Sequence, residues 1–305
     1  MMKKKYGKSI GAFFISLILM FVLLITSITM FFRGSILNPQ TYIGVLEKNN
    51  IYDDIYENIY SNLDYLLLTN NMTEGMLDGV INKDEVIQVV NDSIYYTVGY
   101  MKNEQQEIPA VDMNVYEERV NRSMDKFLLE NSMYLNEDFK NSLNEFKSTV
   151  KDIIKSDLEL INLNEVSKSS AMKAISKIST IIDSGMFVLG LLLIDVIICS
   201  LFFVLWKRRK ARRFAWIGYS FVSCGLIVAL VGFSGYISGF YEHVAIAIPY
   251  VAIAMGLIIK KCLLDLTAIG CIVLLIGMCF MAIYWKHLFK KYKIENSLNT
   301  SKGFN

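Results

Sequence analysis

Asp195 is the side chain whose type and position most invite chemistry. It is the one charged residue in the 23-residue run Ser184–Trp206, eleven positions from either end. In a helix crossing a bilayer it would lie near the midplane. An ionised carboxylate costs about 2.5–3.5 kcal/mol there, so such a residue has a partner or a task. The task would be proton or cation coupling. The partner reading is a protonated carboxyl hydrogen-bonded to another helix, with Ser220, Ser223 or a backbone carbonyl as acceptor or donor. Glu242 and His243 stand side by side and could ligate a metal or sense pH. One imidazole beside one carboxylate makes no site, and the two read as an interfacial pair. Asp265, close to Lys260 and Lys261, reads as solvated.

The absences narrow the chemistry further. The five cysteines (Cys199, Cys224, Cys262, Cys271, Cys279) and both histidines (His243, His287) fall outside residues 34–183. That stretch therefore holds no Ser-His-Asp triad, thiolate nucleophile, His/Cys zinc site or disulfide. No HExxH, P-loop or GxSxG motif occurs in the chain. The expectation is a non-enzymatic protein with no cofactor and no metal.

The elements carrying these residues follow from hydropathy. The chain has 305 residues, 53% hydrophobic and 20% charged, with mean hydropathy +0.38. This is too apolar for a soluble domain of that length. Four runs are long enough to cross a bilayer as helices: 10–32, 184–206, 214–236 and 264–285. The first follows Lys3, Lys4, Lys5 and Lys8, as a secretory signal would. It is longer than a signal core and ends in Met30-Phe31-Phe32-Arg33, so it reads as an uncleaved anchor.

Charge orients the runs. Residues 34–183 carry 25 acidic and 13 basic side chains, net −12, whereas the rest carries 4 acidic and 18 basic, net +14. Such a division around apolar runs excludes a nucleic-acid binder and matches the positive-inside bias. The N-terminus (1–9), the basic loop 207–213 and the tail 286–305 are then cytoplasmic. The stretches 33–183 and 237–263 lie outside. Trp206, Trp216 and Trp285 fall at the cytoplasmic ends, where indole rings anchor among headgroups. Within 237–263, the uncharged segment 244–259 contains Pro249 and is short for a crossing. It reads as an interfacial or re-entrant segment, with a fifth crossing as the lesser alternative.

Two patterns in the apolar part suggest packing and lipid contact. Gly218, Gly225, Gly232 and Gly239 recur every seven residues, as do Gly270 and Gly277, so each set lines one helix seam and permits close approach of backbones. Lys207, Arg208, Arg209, Lys210, Arg212 and Arg213 set the topology or meet anionic headgroups.

Residues 33–183 read as a helical bundle. Ile51, Ile55, Ile59 and Leu63 recur every fourth position beside Tyr52, Tyr56 and Tyr60, behind Asn50 as N-cap. A second helix spans Lys83–Met101 behind Asn82 and Glu85, with Val86, Ile87, Val90, Ile94 and Val98 inward. Pro109 marks a break. Further helices cover 112–130 and 137–160. Met172, Ile175, Ile178 and Ile182 keep helical spacing up to the second run, which predicts one continuous helix into the membrane. The tyrosine row reads as core rings with wetted hydroxyls, or else as a partner surface.

The expected fold is thus an all-α integral membrane protein with four transmembrane helices and an extracytoplasmic helical bundle between the first two. Lys, Ile and Asn abundance suggests an AT-rich bacterial genome, and the plasma membrane as location. The bundle is expected to bind a protein partner or envelope component. The same layout is found in permease-like subunits that work beside a separate ATPase, which makes a transport subunit using Asp195 the alternative.

Overall fold

The computed structural model describes residues 3–102, 111–131, 137–159, 170–206, 210–246 and 248–302. Among the described residues every regular element is helical. In chain order these are α1 (Lys3–Phe31), a π-turn (Phe32–Ile36), α2 (Pro39–Lys48), α3 (Ile51–Thr69), α4 (Lys83–Met101), α5 (Met113–Glu130) and α6 (Glu137–Leu158). Then come α7 (Ser170–Asp183), α8 (Gly185–Leu205), α9 (Lys210–Ser238), a 3₁₀ turn (Phe240–His243) and α10 (Pro249–Lys302). Four of them contain stretches long and apolar enough to cross a membrane: Ile10–Ile36, Gly185–Leu205, Ala211–Ser238 and Pro249–Lys290. That set points to a multi-pass membrane protein.

The chain divides into two units, one of residues 1–37, 181–243 and 259–305, the other of 38–180 and 244–258. In the first unit α1 packs on both α8 and α9. The inward face of α8 is Val188, Leu191, Asp195, Ile198 and Phe202, at alternating three- and four-residue spacing, while Leu189, Leu193, Val196 and Val204 are exposed. One apolar helix thus keeps one packed face and leaves the rest bare.

The second unit is organised around α3. Ile55, Ile59, Leu63 and Leu67 are completely buried, each i+4 from the last, so they form one row. Val86 and Val90 of α4, Val120 and Met124 of α5, and Val150 and Ile154 of α6 close over them. Burying each such side chain stabilises the bundle by about 1.5–3 kcal/mol.

Several expectations are corrected. Asn50 is no side-chain cap: it takes a left-handed conformation (φ 56°) that links α3 to α2, an element the sequence reading did not anticipate. In α7, Ile175 and Ile178 are exposed and Ser176 and Ser179 are buried. Ser176 Oγ donates to the Tyr100 carbonyl at 3.2 Å. Helix α7 does not continue into α8. Ser184 adopts ψ 117° and interrupts the helix, and its carbonyl accepts from Phe187 and Val188. The segment 244–259 does not form an element of its own. Its residues from Pro249 onward begin α10, and Tyr250 and Ala254 belong to the same core as Ile59. Finally, α9 starts at Lys210, so the end of the basic stretch is helical rather than loop.

Candidate functional site

In the apolar unit the polar side chains sit at two levels of the α1 contacts. At one level Ser16 and Ser220 clasp α1 to α9. Their hydroxyls lie 2.8 Å apart, and Ser220 Oγ reaches the Ser16 carbonyl at 2.8 Å. At the other level Thr26 Oγ1 donates to Asp195 Oδ2 at 2.8 Å. Asp195 is buried at 7% exposure. Its Oδ1 has no partner among the described residues. Beside this pair, Ser27 Oγ faces Cys224 Sγ at 3.9 Å. The partner of Asp195 is therefore Thr26 of α1, not Ser220 or Ser223. No signal marked it, because the Val22 carbonyl one turn back, 3.0 Å from Thr26 Oγ1, offers that single hydroxyl proton a local acceptor, the one helical threonines commonly use.

The five seam glycines face one another across α9 and α10. A Cβ on Gly225 would fall 2.4 Å from Leu274 N, one on Gly232 2.7 Å from Thr267 N, and one on Gly218 2.9 Å from Met281 Cγ. Reciprocally, a Cβ on Gly270 would fall 2.3 Å from Ala229 N and one on Gly277 2.6 Å from Val222 N. Two backbones touch where these residues have nothing to interpose. Gly239 is not part of the seam; it ends α9 with φ +66°.

Of the basic cluster, Lys207, Arg208 and Arg209 lie outside the described residues, as does the side chain of Lys210. Arg212 is exposed. Arg213 lays its guanidinium over the rings of Phe203 (4.5 Å) and Phe214 (5.3 Å), a cation–π arrangement. Asp265 is paired rather than merely solvated: Lys261 bridges to it and Ser35 Oγ donates to it at 3.1 Å. Glu242 and His243 are both exposed in the 3₁₀ turn.

No protein-family model, curated protein or solved structure matches this chain. Function must be read from its own residues.

An open groove with a volume of about 870 Å³ lies in the second unit. One wall is a face of α3: Tyr56, Glu57, Tyr60, Ser61, Asp64, Tyr65 and Leu68. The other is the connection to α4, with Glu74, Asp78 and Gly79. The connection is pinned down by the α3 residues themselves. Tyr60 Oη donates to the Ile81 carbonyl at 2.8 Å and accepts the Gly79 N–H at 3.1 Å. Asp64 Oδ1 accepts the Gly75 N–H at 3.1 Å. Gly79 has φ +81°, which only glycine adopts without strain. Partial burial pushes the Tyr60 phenol above its ordinary range, so it stays neutral.

At the base of the connection Arg119 of α5 forks onto Glu85 at 2.8 and 2.7 Å and donates to the Val80 carbonyl at 3.1 Å. Glu85 also accepts the Asn82 N–H at 3.1 Å, fixing the start of α4. Those donors, Arg119 first, hold the Glu85 carboxyl below the usual carboxylate range. The groove is therefore preformed, ringed by tyrosines and carboxylates. Glu57, Glu74 and Asp78 are exposed and Asp64 half-buried. Among the described residues no three His, Cys, Asp or Glu side chains converge as metal ligands. The sequence reading took the tyrosine row mainly as core. The overlooked signal was an absence: from Asn49 to Asn82 there are six acidic residues and no lysine or arginine.

Proposed function

We propose that this chain is a non-enzymatic protein of a bacterial plasma membrane that crosses the bilayer four times, with both termini cytoplasmic. Its helical bundle faces outward and binds a cationic segment of a protein partner or envelope component in the α3 groove. The groove carries the binding part of the reading. It is open, rigidly framed, acidic and aromatic, which suits a lysine- or arginine-bearing ligand through charge and ring-face contacts.

The two-part core supports the topology. Charge alone assigns residues 33–183 and 237–263 to one side of the membrane, and Tyr250 and Ala254 pack with Ile55 and Ile59. A core shared by these segments supports placing them on one side, with α8 and α9 between them as a pair of crossings.

A lysine-rich peptide titrated against the full-length protein in detergent tests the binding. It should bind, with at least about tenfold loss in Glu57→Gln/Glu74→Gln/Asp78→Asn. Equal binding by that variant would refute the groove. For topology, a Tyr65→Cys variant should react with a membrane-impermeant maleimide in intact spheroplasts, whereas a cysteine added at the C-terminus should not.

The transport alternative, a permease-like subunit beside a separate ATPase, is favoured by one observation: the orphan Oδ1 of Asp195. Asp195→Asn keeps an acceptor for Thr26, so an unchanged ion or substrate flux in that variant would remove its support.

A further inference from the structure

Helix α10 does not stop where its apolar stretch does. It runs on through Trp285 to Lys302. One line of residues at i+3 and i+4 spacing (Cys271, Leu275, Met278, Ala282, Lys286, Phe289, Lys293) therefore occupies a continuous helix face. Every member is exposed, Leu275 at 56% and Phe289 at 64%. Gly270 and Gly277, which meet α9, belong to another face of the same helix. Along the exposed line the chemistry changes once, at Lys286. Before it the line is apolar; after it come Lys286, Lys290 and Lys293, interleaved with Trp285, Phe289 and Tyr292. No acidic residue occurs between Asp265 and Glu295. The Trp285 and Phe289 rings lie 6.0 Å apart, and Trp285 is 54% exposed.

We propose that this face binds anionic phospholipid at the cytoplasmic surface, with the acyl chains along Leu275–Ala282 and the phosphate among Lys286, Lys290 and Lys293. The inference rests on the four-crossing reading above. Dimensions fit the assignment. From Leu275 to Lys286 the helix rises about 16 Å, close to half the hydrocarbon thickness. Lys286 and Lys290 lie about 1.5 and 7.5 Å beyond Trp285, within the headgroup layer, and Lys293, about 12 Å beyond, reaches back along its flexible stem. Trp285 and Tyr292 supply the amphipathic rings that favour this depth. A negative surface attracts each nearby lysine, whereas a zwitterionic one does not.

The experiment uses Trp285 as reporter, in full-length Trp206→Phe/Trp216→Phe protein reconstituted into phosphatidylcholine vesicles. A minor fraction of the lipid carries brominated chains, as phosphatidylglycerol or as phosphatidylcholine. Brominated phosphatidylglycerol should quench Trp285 at least about twofold more strongly than brominated phosphatidylcholine. Lys286→Ser/Lys290→Ser/Lys293→Ser should make the two quench equally. Equal quenching with the lysines present, or an unchanged preference without them, would overturn the proposal. Failure of the membrane-spanning reading looks different: neither lipid quenches, and the protein does not float with the vesicles. Because Trp206 is buried, the unsubstituted chain provides a second measurement. Native mass spectrometry after purification from mixed vesicles should find it retaining phosphatidylglycerol over phosphatidylcholine, and equal retention would count against the site.

Discussion

The two units bury their interiors by opposite means. Around α3 the core is made of large aliphatic side chains, with Ile55, Ile59, Leu63 and Leu67 wholly enclosed. Between α9 and α10 the contact is made by residues that have almost no side chain, Gly225 and Gly270 above all. The contrast reflects what surrounds each unit on the four-crossing reading. In water, removing apolar area is itself the driving force, so bulk is favoured. In lipid, tails solvate leucine as well as a neighbouring helix does, and close backbone approach with a few hydroxyl bonds must suffice. Each unit also buries one aspartate among the described residues, and here the two are alike: Thr26 donates to Asp195 and Asn62 to Asp157, both at 2.8 Å.

Substitutions should break the contrast in a definite order. The largest effect is expected for Gly225→Leu, whose Cβ alone would penetrate the Leu274 backbone. The variant should lose most of its folded yield by size-exclusion chromatography while the α3 bundle keeps its helical signal. Next comes Ile59→Ala. It empties the middle of the aliphatic row and should cost about 2–5 kcal/mol in chemical denaturation, with the glycine seam intact. Arg119→Ala should cost about 1–3 kcal/mol by stranding Glu85 and the Val80 carbonyl. The Glu85 carboxyl is depressed in the folded protein. Its stabilising contribution is thus present above the unfolded carboxylate pKa and fades as pH falls through the lower folded value, a slope the variant should lose.

The smallest effect sharpens the comparison between the aspartates. Burial raises the Asp157 carboxyl above its ordinary range, outweighing the Asn62 hydrogen bond. The folded state therefore holds its proton to higher pH than the unfolded chain does. The contribution is present below the unfolded pKa and lost as pH rises through the folded one. Asp157→Asn removes that loss, so its thermal midpoint should exceed the parent's slightly at neutral pH and converge with it in acid. A variant less stable than the parent at pH 7 would show that the charged carboxylate is the favoured form.

Periodicity made much of this architecture legible. The four apolar runs, Lys83–Met101 and the Ile51–Leu63 row all stand out because one face of each helix has a single environment. Where a segment's environment depends on distant residues, the reading failed. The stretch 244–259 has the composition of a membrane-edge segment, yet part of it completes a core that begins at Leu46. The groove escaped notice because its acidity is spread over one helix face and a returning connection. Thr26 was hidden because a threonine in an apolar run looks self-sufficient.

The placement of Tyr250 and Ala254 in that core imposes a timetable on biosynthesis. A bundle whose last layer is encoded at 250–254 stays unfinished while the 78 residues from 181 to 258 are still being polymerised. At ribosomal rates of about 5–20 residues per second, that is roughly 4–16 s. Throughout it the nascent bundle presents an open apolar edge, which the start of α10 then covers.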